Sequence, residues 1–266
     1  MIRRYAVALA ASAALVLSGC SDWVFNGGPL DDPSAEPESR ESITILAAAS
    51  LTTVLPEIEE AWAAEGIDYD LDISFAGSST IVQQVNEGAP ADVILLAGES
   101  SLSTLITPDG APATSPVIFA TNSLTLAVPA NNPANITSLA DLDLAITPND
   151  SPTLVVCAQQ VPCGEASEQM FAQAGFSPDI ASFEPDVRAT LAKASSGEAD
   201  AAVVYRTDIA AATSDVTAID IPDDINVTNR YPALAISDNP QAPALIDDLL
   251  GDTAQQVLTE AGFGAP

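Results

Sequence analysis

The chain of 266 residues contains no histidine and a single lysine, Lys193. Without histidine it lacks the usual general base and the commonest metal ligand. A serine nucleophile would have no imidazole beside it, which weighs against a hydrolase. Lys and Arg together number 7 against 37 Asp and Glu, a net charge of −30. Such a balance excludes the basic footprint of a nucleic-acid binder. It suits a strongly solvated surface, as on a protein adapted to salt. Cysteines number only 3, too few for a disulfide scaffold and, without histidine, too few for a zinc site. The longest apolar run, Tyr5 to Leu17, is too short for a membrane span. No internal repeat of fixed period is present. What remains is 47% hydrophobic and 17% charged, enough apolar mass for one or two cored domains.

Two stretches organise that mass. Ala47-Ala48-Ala49-Ser50-Leu51-Thr52 follows an apolar run from Ile43, and Leu51, Leu55, Ile58 and Trp62 then recur at helical spacing. Phe75-Ala76-Gly77-Ser78-Ser79-Thr80 follows a second strand, Leu71 to Phe75, and Ile81, Val82 and Val85 face one side of a second helix. In both, a serine among small residues sits where strand becomes helix. Free N–H groups and the positive helix end point outward there, which suits an anion. Taken alone, each serine is more commonly a helix cap than a ligand donor. Two at strand C-termini of one α/β sheet favour a ligand site.

The N-terminus reads as an export signal. Arg3 and Arg4 precede the apolar run, and Leu17-Ser18-Gly19-Cys20 follows it. That ending resembles the bacterial lipoprotein box, in which cleavage precedes the cysteine. Residues 1–19 are then a signal peptide and Cys20 is the lipidated residue. Residues 20–41 form a tether rich in Pro, Gly and acids, expected to be disordered. In an exported protein Cys157 and Cys163, six apart, are able to pair; two free thiols are the alternative.

From Ser42 onward strand-like and helix-like runs alternate, as in an α/β fold. Further strands are expected at Ala91–Ala97, Ser123–Val128, Leu142–Thr147, Ala201–Tyr205 and Leu234–Ser237. Ser151–Gly164 reads as an irregular loop, followed by a helix that Gly175 ends. Pro185 and Asp186 open another helix, to about Ser195, and two more helices close the chain at Ala242–Leu250 and Thr253–Ala261.

Seven motifs in order carry a family resemblance. They are Ile45-Leu46-Ala47-Ala48-Ala49-Ser50-Leu51, Phe75-Ala76-Gly77-Ser78-Ser79-Thr80, Gly88-Ala89-Pro90-Ala91-Asp92-Val93, Asn122-Ser123-Leu124, Val161-Pro162-Cys163-Gly164, Glu184-Pro185-Asp186-Val187-Arg188 and Val203-Val204-Tyr205. From Ile43 to Phe263 the chain resembles the periplasmic molybdate-binding proteins of ABC importers, which are type II solute-binding proteins. The resemblance implies a two-domain α/β fold with the ligand cleft between domains, one of residues 42–122 and 232–266, the other of 123–231. It implies a molybdate ligand, with tungstate as a second, and sulfate as the rival oxyanion. Ser50 and Ser78 would give hydroxyl and backbone N–H, Cys163 and Val187 backbone N–H groups, and Tyr205 its phenol. Without the resemblance, Val187 is an ordinary first-turn residue and Tyr205 a half-buried core tyrosine. The family more often carries alanine where Cys163 stands, and Ala97-Gly98-Glu99 replaces a more polar pattern. Arg188 is expected to partner a carboxylate rather than the ligand, and Lys193 to be solvated. No cofactor and no catalysis are implied. The implied partner is an ABC-transporter permease with its ATPase, met by a monomer held at the membrane through Cys20.

Overall fold

The computed structural model describes residues 42–106, 114–143, 151–212 and 214–266. The expected signal peptide and tether, with Cys20, lie outside the described residues, as do residues 144–147 of the strand expected from Leu142.

β1 (Ile43–Ala48) passes through a 3-10 turn (Ala49–Leu51) into α1 (Val54–Ala64). β2 (Leu71–Ala76) runs into α2 (Ser78–Asn86), and β3 (Val93–Leu95) follows. β4 (Val117–Pro129) is long, and β5 (Leu154–Cys157) precedes α3 (Pro162–Ala174). Two more strand–helix pairs come next: β6 (Ile180–Glu184) with α4 (Val187–Ser195), and β7 (Ala201–Tyr205) with α5 (Arg206–Ala210). β8 (Val216–Asp220), β9 (Thr228–Ala235), α6 (Ala242–Leu249) and α7 (Asp252–Glu260) complete the described fold.

The strands lie in the order β2-β1-β3-β9-β4-β7-β5-β6, with β8 on β4. β1, β2 and β3 are parallel to one another, as are β5, β6 and β7. β4 joins the two groups. Its first part, Val117 to Ser123, pairs antiparallel with β9, and Leu124 onward pairs with β7 and β8.

Side-chain alternation explains the layers. Along β1, Ile43, Ile45 and Ala47 enter one core with Leu51, Ile58 and Trp62, whereas Leu46 enters another with Ile81, Val82 and Val85 of α2. The first sheet is therefore covered on both faces. A third core joins Leu124, Leu126, Val156, Met170, Leu191 and Val203 beneath α3 and α4. Each such aliphatic chain, fully buried, contributes about 1.5–3 kcal/mol.

Several expectations need correction. Leu154 to Cys157 is a strand, not part of an irregular loop. All four residues are buried, and β-branched Val155 and Val156 pack between β6 and β7. Leu142 ends a 3-10 turn (Leu139–Leu142) whose N-terminus Ser138 and Asp141 cap reciprocally, which holds the backbone out of a strand. β4 begins at Val117 rather than Ser123, and the return strand runs from Thr228 to Ala235 rather than to Ser237.

A disulfide between Cys157 and Cys163 ties the end of β5 to the first turn of α3. Gly164, next in the helix, has no room for a side chain. A Cβ there would run into the Ala158 carbonyl and lie 2.7 Å from the Cys157 oxygen. Both obstacles are backbone, so no rotamer change relieves them. Gly164→Ala is therefore expected to destabilise the protein by about 1–3 kcal/mol, despite alanine's better helix propensity. Urea unfolding measures this; a neutral or stabilised variant would contradict the packing.

Candidate functional site

Five chain segments end at one small cavity, each at the carboxyl end of a parallel strand. From β1 the 3-10 turn brings Ser50. From β2 the start of α2 brings Ser78, with Gly77 before it. From β5 the start of α3 brings Cys163 behind Pro162. From β6 the start of α4 brings Val187, and Tyr205 ends β7. All five line the same cavity, with Ala48, Ala49 and Ala97 among their neighbours. This is where open α/β sheets present ligands.

The walls approach each other closely. A Cβ on Gly77 would stand 2.7 Å from the Pro185 carbonyl oxygen, on the opposite wall. The cavity left between them is about 20 Å³. Ser78 and Tyr205 are each only 1% exposed. Tyr205 is thus wholly buried, not half-buried as an isolated reading of the strand suggests.

The cavity offers donors and no cation. The first N–H groups of α2, α3 and α4 lack intrahelical acceptors, and the helix dipoles add partial positive charge there. Val187 stands at the first position of α4 and Cys163 at the second of α3. No lysine or arginine lines the cavity. Asp186 does, and its Oδ1 accepts from the Ala189 N–H at 2.9 Å as the cap of α4. Burial pushes the Tyr205 phenol well above its ordinary range, so it stays a hydroxyl donor. Such a set has the chemistry to hydrogen-bond a small anion from several directions.

Beside it, and sharing Ser50, lies a larger cavity of about 240 Å³ lined also by Glu57, Arg188, Thr207, Asp208 and Glu260. Arg188 therefore faces Asp208's side of Ser50 and not the five-donor cavity. Lys193 does not stand free: it pairs with the exposed Glu198 at 2.6 Å. Sequence reasoning missed Asp208, which is 2% exposed, and the buried Asn229 and Tyr231 behind the cavity. A lone asparagine or tyrosine in an apolar strand such as β9 was the available signal.

The fold and cavity define a type II periplasmic-binding-protein architecture with its ligand cleft between two α/β halves. The chain belongs to the bacterial extracellular solute-binding protein family, whose pattern matches residues 43–264. It is therefore a binding protein rather than an enzyme, and its family takes a solute as ligand without a cofactor. It is 31% identical over 245 residues to the molybdate-binding protein ModA of Mycobacterium tuberculosis, covering 91% of each chain. It is 29% identical to ModA of Haemophilus influenzae, over 84% of this chain and 90% of that one. Among solved structures, the periplasmic molybdate-binding protein of Azotobacter vinelandii superposes with a TM-score of 0.67 at 18% identity, over 85% of this chain and all of the other. The sulfate-binding protein SubI of M. tuberculosis gives 0.65 at 17% identity, over 84% and 86%. At these identities the two superpositions speak for the fold alone.

Asp208 generates a test of the electrostatics. Its Oδ2 accepts from the Tyr205 N–H at 2.9 Å. Burial pushes its carboxyl up to about 7; the Tyr205 N–H and nearby Arg188 offset this only in part, and Asp186 adds to it. The unfolded chain releases this proton near pH ~4. Between about pH 4 and 7 the folded state binds more protons at this site, so its contribution to stability falls as pH rises and levels off above 7. Asp208→Asn keeps an acceptor for the Tyr205 N–H and removes that slope. At pH 8 the variant is expected to be more stable than the parent by up to ~4 kcal/mol, and at pH 4 nearly equal. A stability difference independent of pH would show that Asp208 is ionised at no cost.

Proposed function

We propose that the protein captures molybdate, and tungstate with it, outside the cytoplasm and delivers it to an ABC-transporter permease with its ATPase. The observation that carries this reading is the convergence of Ser50, Ser78, Cys163, Val187 and Tyr205 on one buried cavity without a cation. Neutral donors hold a fully deprotonated tetrahedral dianion well. They reject an anion that brings its own O–H, because that hydrogen would face another donor. The curated relatives named for molybdate support the choice of ligand. Sulfate, also a dianion, is the rival that the same donors would accept.

On this reading residues 42–122 with 232–266 form one lobe and 123–231 the other. At about 20 Å³ the cavity has little more space than the roughly 10–15 Å³ that one water needs. Four oxygens require the lobes to part, admit the anion and close over it. The Leu17-Ser18-Gly19-Cys20 sequence supports a lipid anchor on Cys20 that keeps a monomeric protein near its transporter.

Competition calorimetry with molybdate, tungstate, sulfate and phosphate tests the assignment. Molybdate and tungstate are expected to displace one another and to bind well ahead of sulfate and phosphate. Ser78→Ala is expected to weaken molybdate by roughly 1.5–3 kcal/mol, the value of a hydrogen bond to a charged group, and Ser79→Ala by less. Preference for sulfate would reassign the ligand; indifference to the Ser78 change would remove that serine from the site.

A further inference from the structure

The binding hydroxyls do not stand alone. Each is gripped from behind by a donor, and the donors come from residues outside the five. The Ala97 N–H donates to Ser78 Oγ at 2.9 Å. Asn229 Nδ2 donates to Tyr205 Oη at 2.6 Å and to the Ala97 carbonyl at 2.9 Å. A carbonyl oxygen only accepts, so the Ala97 contact fixes which end of the Asn229 amide faces the tyrosine. The Asn229 group there is N–H, and the Tyr205 oxygen must accept.

Ser50 is reached through a relay. Asn122 Oδ1 accepts from the Ser123 N–H at 3.0 Å, which fixes that amide in the same way. Asn122 Nδ2 then donates to Thr207 Oγ1 at 2.8 Å and to Tyr231 Oη at 3.3 Å. Tyr231 is wholly buried, and burial raises its phenol above its ordinary range, so its hydrogen needs an acceptor. Among the described residues that acceptor is Ser50 Oγ, 3.0 Å away. Asn122 and Asn229 are register partners on β4 and β9, the strands that link the two halves.

We propose that Asn229, and Tyr231 with Asn122 behind it, are positioning and specificity-determining residues. They occupy acceptor sites of the Tyr205 and Ser50 hydroxyls, so that both hydroxyls turn their hydrogens into the cavity. A hydroxyl is otherwise ambivalent, since it donates or accepts as it rotates. With one of its two lone pairs engaged from behind, its hydrogen is kept off that side and turned towards the cavity. The wiring therefore biases ambivalent groups towards donating and disfavours a protonated oxyanion. This inference rests on the oxyanion reading given above.

A double-mutant cycle tests it, with molybdate and phosphate as probes in calorimetry at neutral pH. Phosphate carries at least one O–H there; molybdate carries none. Tyr231→Phe keeps the ring and removes only the donor. It is expected to weaken molybdate about fivefold to tenfold and to narrow the molybdate-to-phosphate ratio, because the freed Ser50 oxygen now accepts the phosphate hydrogen. In a Ser50→Ala background the same change is expected to cost nothing further. Asn229→Ala against Tyr205→Phe forms a second, independent cycle, which decides the matter if Tyr231→Phe fails to fold. Additive losses, or equal losses for both anions with the ratio unchanged, would overturn the positioning role while leaving the oxyanion site standing. Failure of the unaltered protein to bind any of the oxyanions would overturn the functional reading and this assignment with it.

Discussion

Holding a small anion out of water without a countercharge is the constraint on which this structure depends. A buried ion that is not matched by hydrogen bonds is costly, and here no lysine or arginine lines the cavity. Partial charges must do the work of a full one. They come from helix starts, where backbone N–H groups are free by construction, and from hydroxyls whose direction the surrounding structure sets. That requirement explains the architecture. Two groups of parallel strands aim their carboxyl ends at one point, and β4 and β9 link them. Small residues such as Gly77, Ala48 and Ala49 allow backbone to approach where side chains would hold the walls apart.

The placement of the cations follows the same logic. Of the seven basic residues, four are described. Lys193, Arg206 and Arg230 pair with Glu198, Asp220 and Glu99, all well exposed, and such pairs contribute little to stability. Arg188 lines the larger neighbouring cavity near Asp208. Of the four described cations, none lines the small cavity. On the proposed reading, selectivity is left to geometry and to proton direction, which a point charge would not supply.

Much of this was legible in the residues. Strands ending in Ala-Ser or Gly-Ser before a helical apolar pattern announced Ser50 and Ser78, because helix starts have a local signature. The apolar periodicity of α1 and α2 was equally local, and Pro185-Asp186 marked the start of α4. Cys163, Val187 and Tyr205 entered only through resemblance to a family: a backbone N–H leaves no mark on residue type, and a tyrosine at a strand end has many uses. β5 was hidden because Leu154 to Cys157 is a four-residue run next to loop-forming Ser151 and Pro152. The length of β4 escaped because Asn122 and Ser123 interrupt its apolar pattern. Those polar residues are where the strand passes from one half to the other, and Asn122 Nδ2 donates to Tyr231 Oη behind the cavity. Asn229 and Tyr231 left only a weak mark, polar groups in a strand, and Asp208 left none, because their meaning lies in partners more than 20 residues away or in burial by distant elements.

The central claim is that neutral donors alone hold the oxyanion. A crystal structure of the protein grown with molybdate, measured at the molybdenum absorption edge, tests it most directly. The account predicts one anomalous peak in the small cavity, with oxygens in hydrogen-bond reach of the Ser50, Ser78 and Tyr205 hydroxyls and of the Cys163 and Val187 N–H groups. A peak in the larger cavity against Arg188, or at any site where lysine or arginine meets the anion, would contradict it.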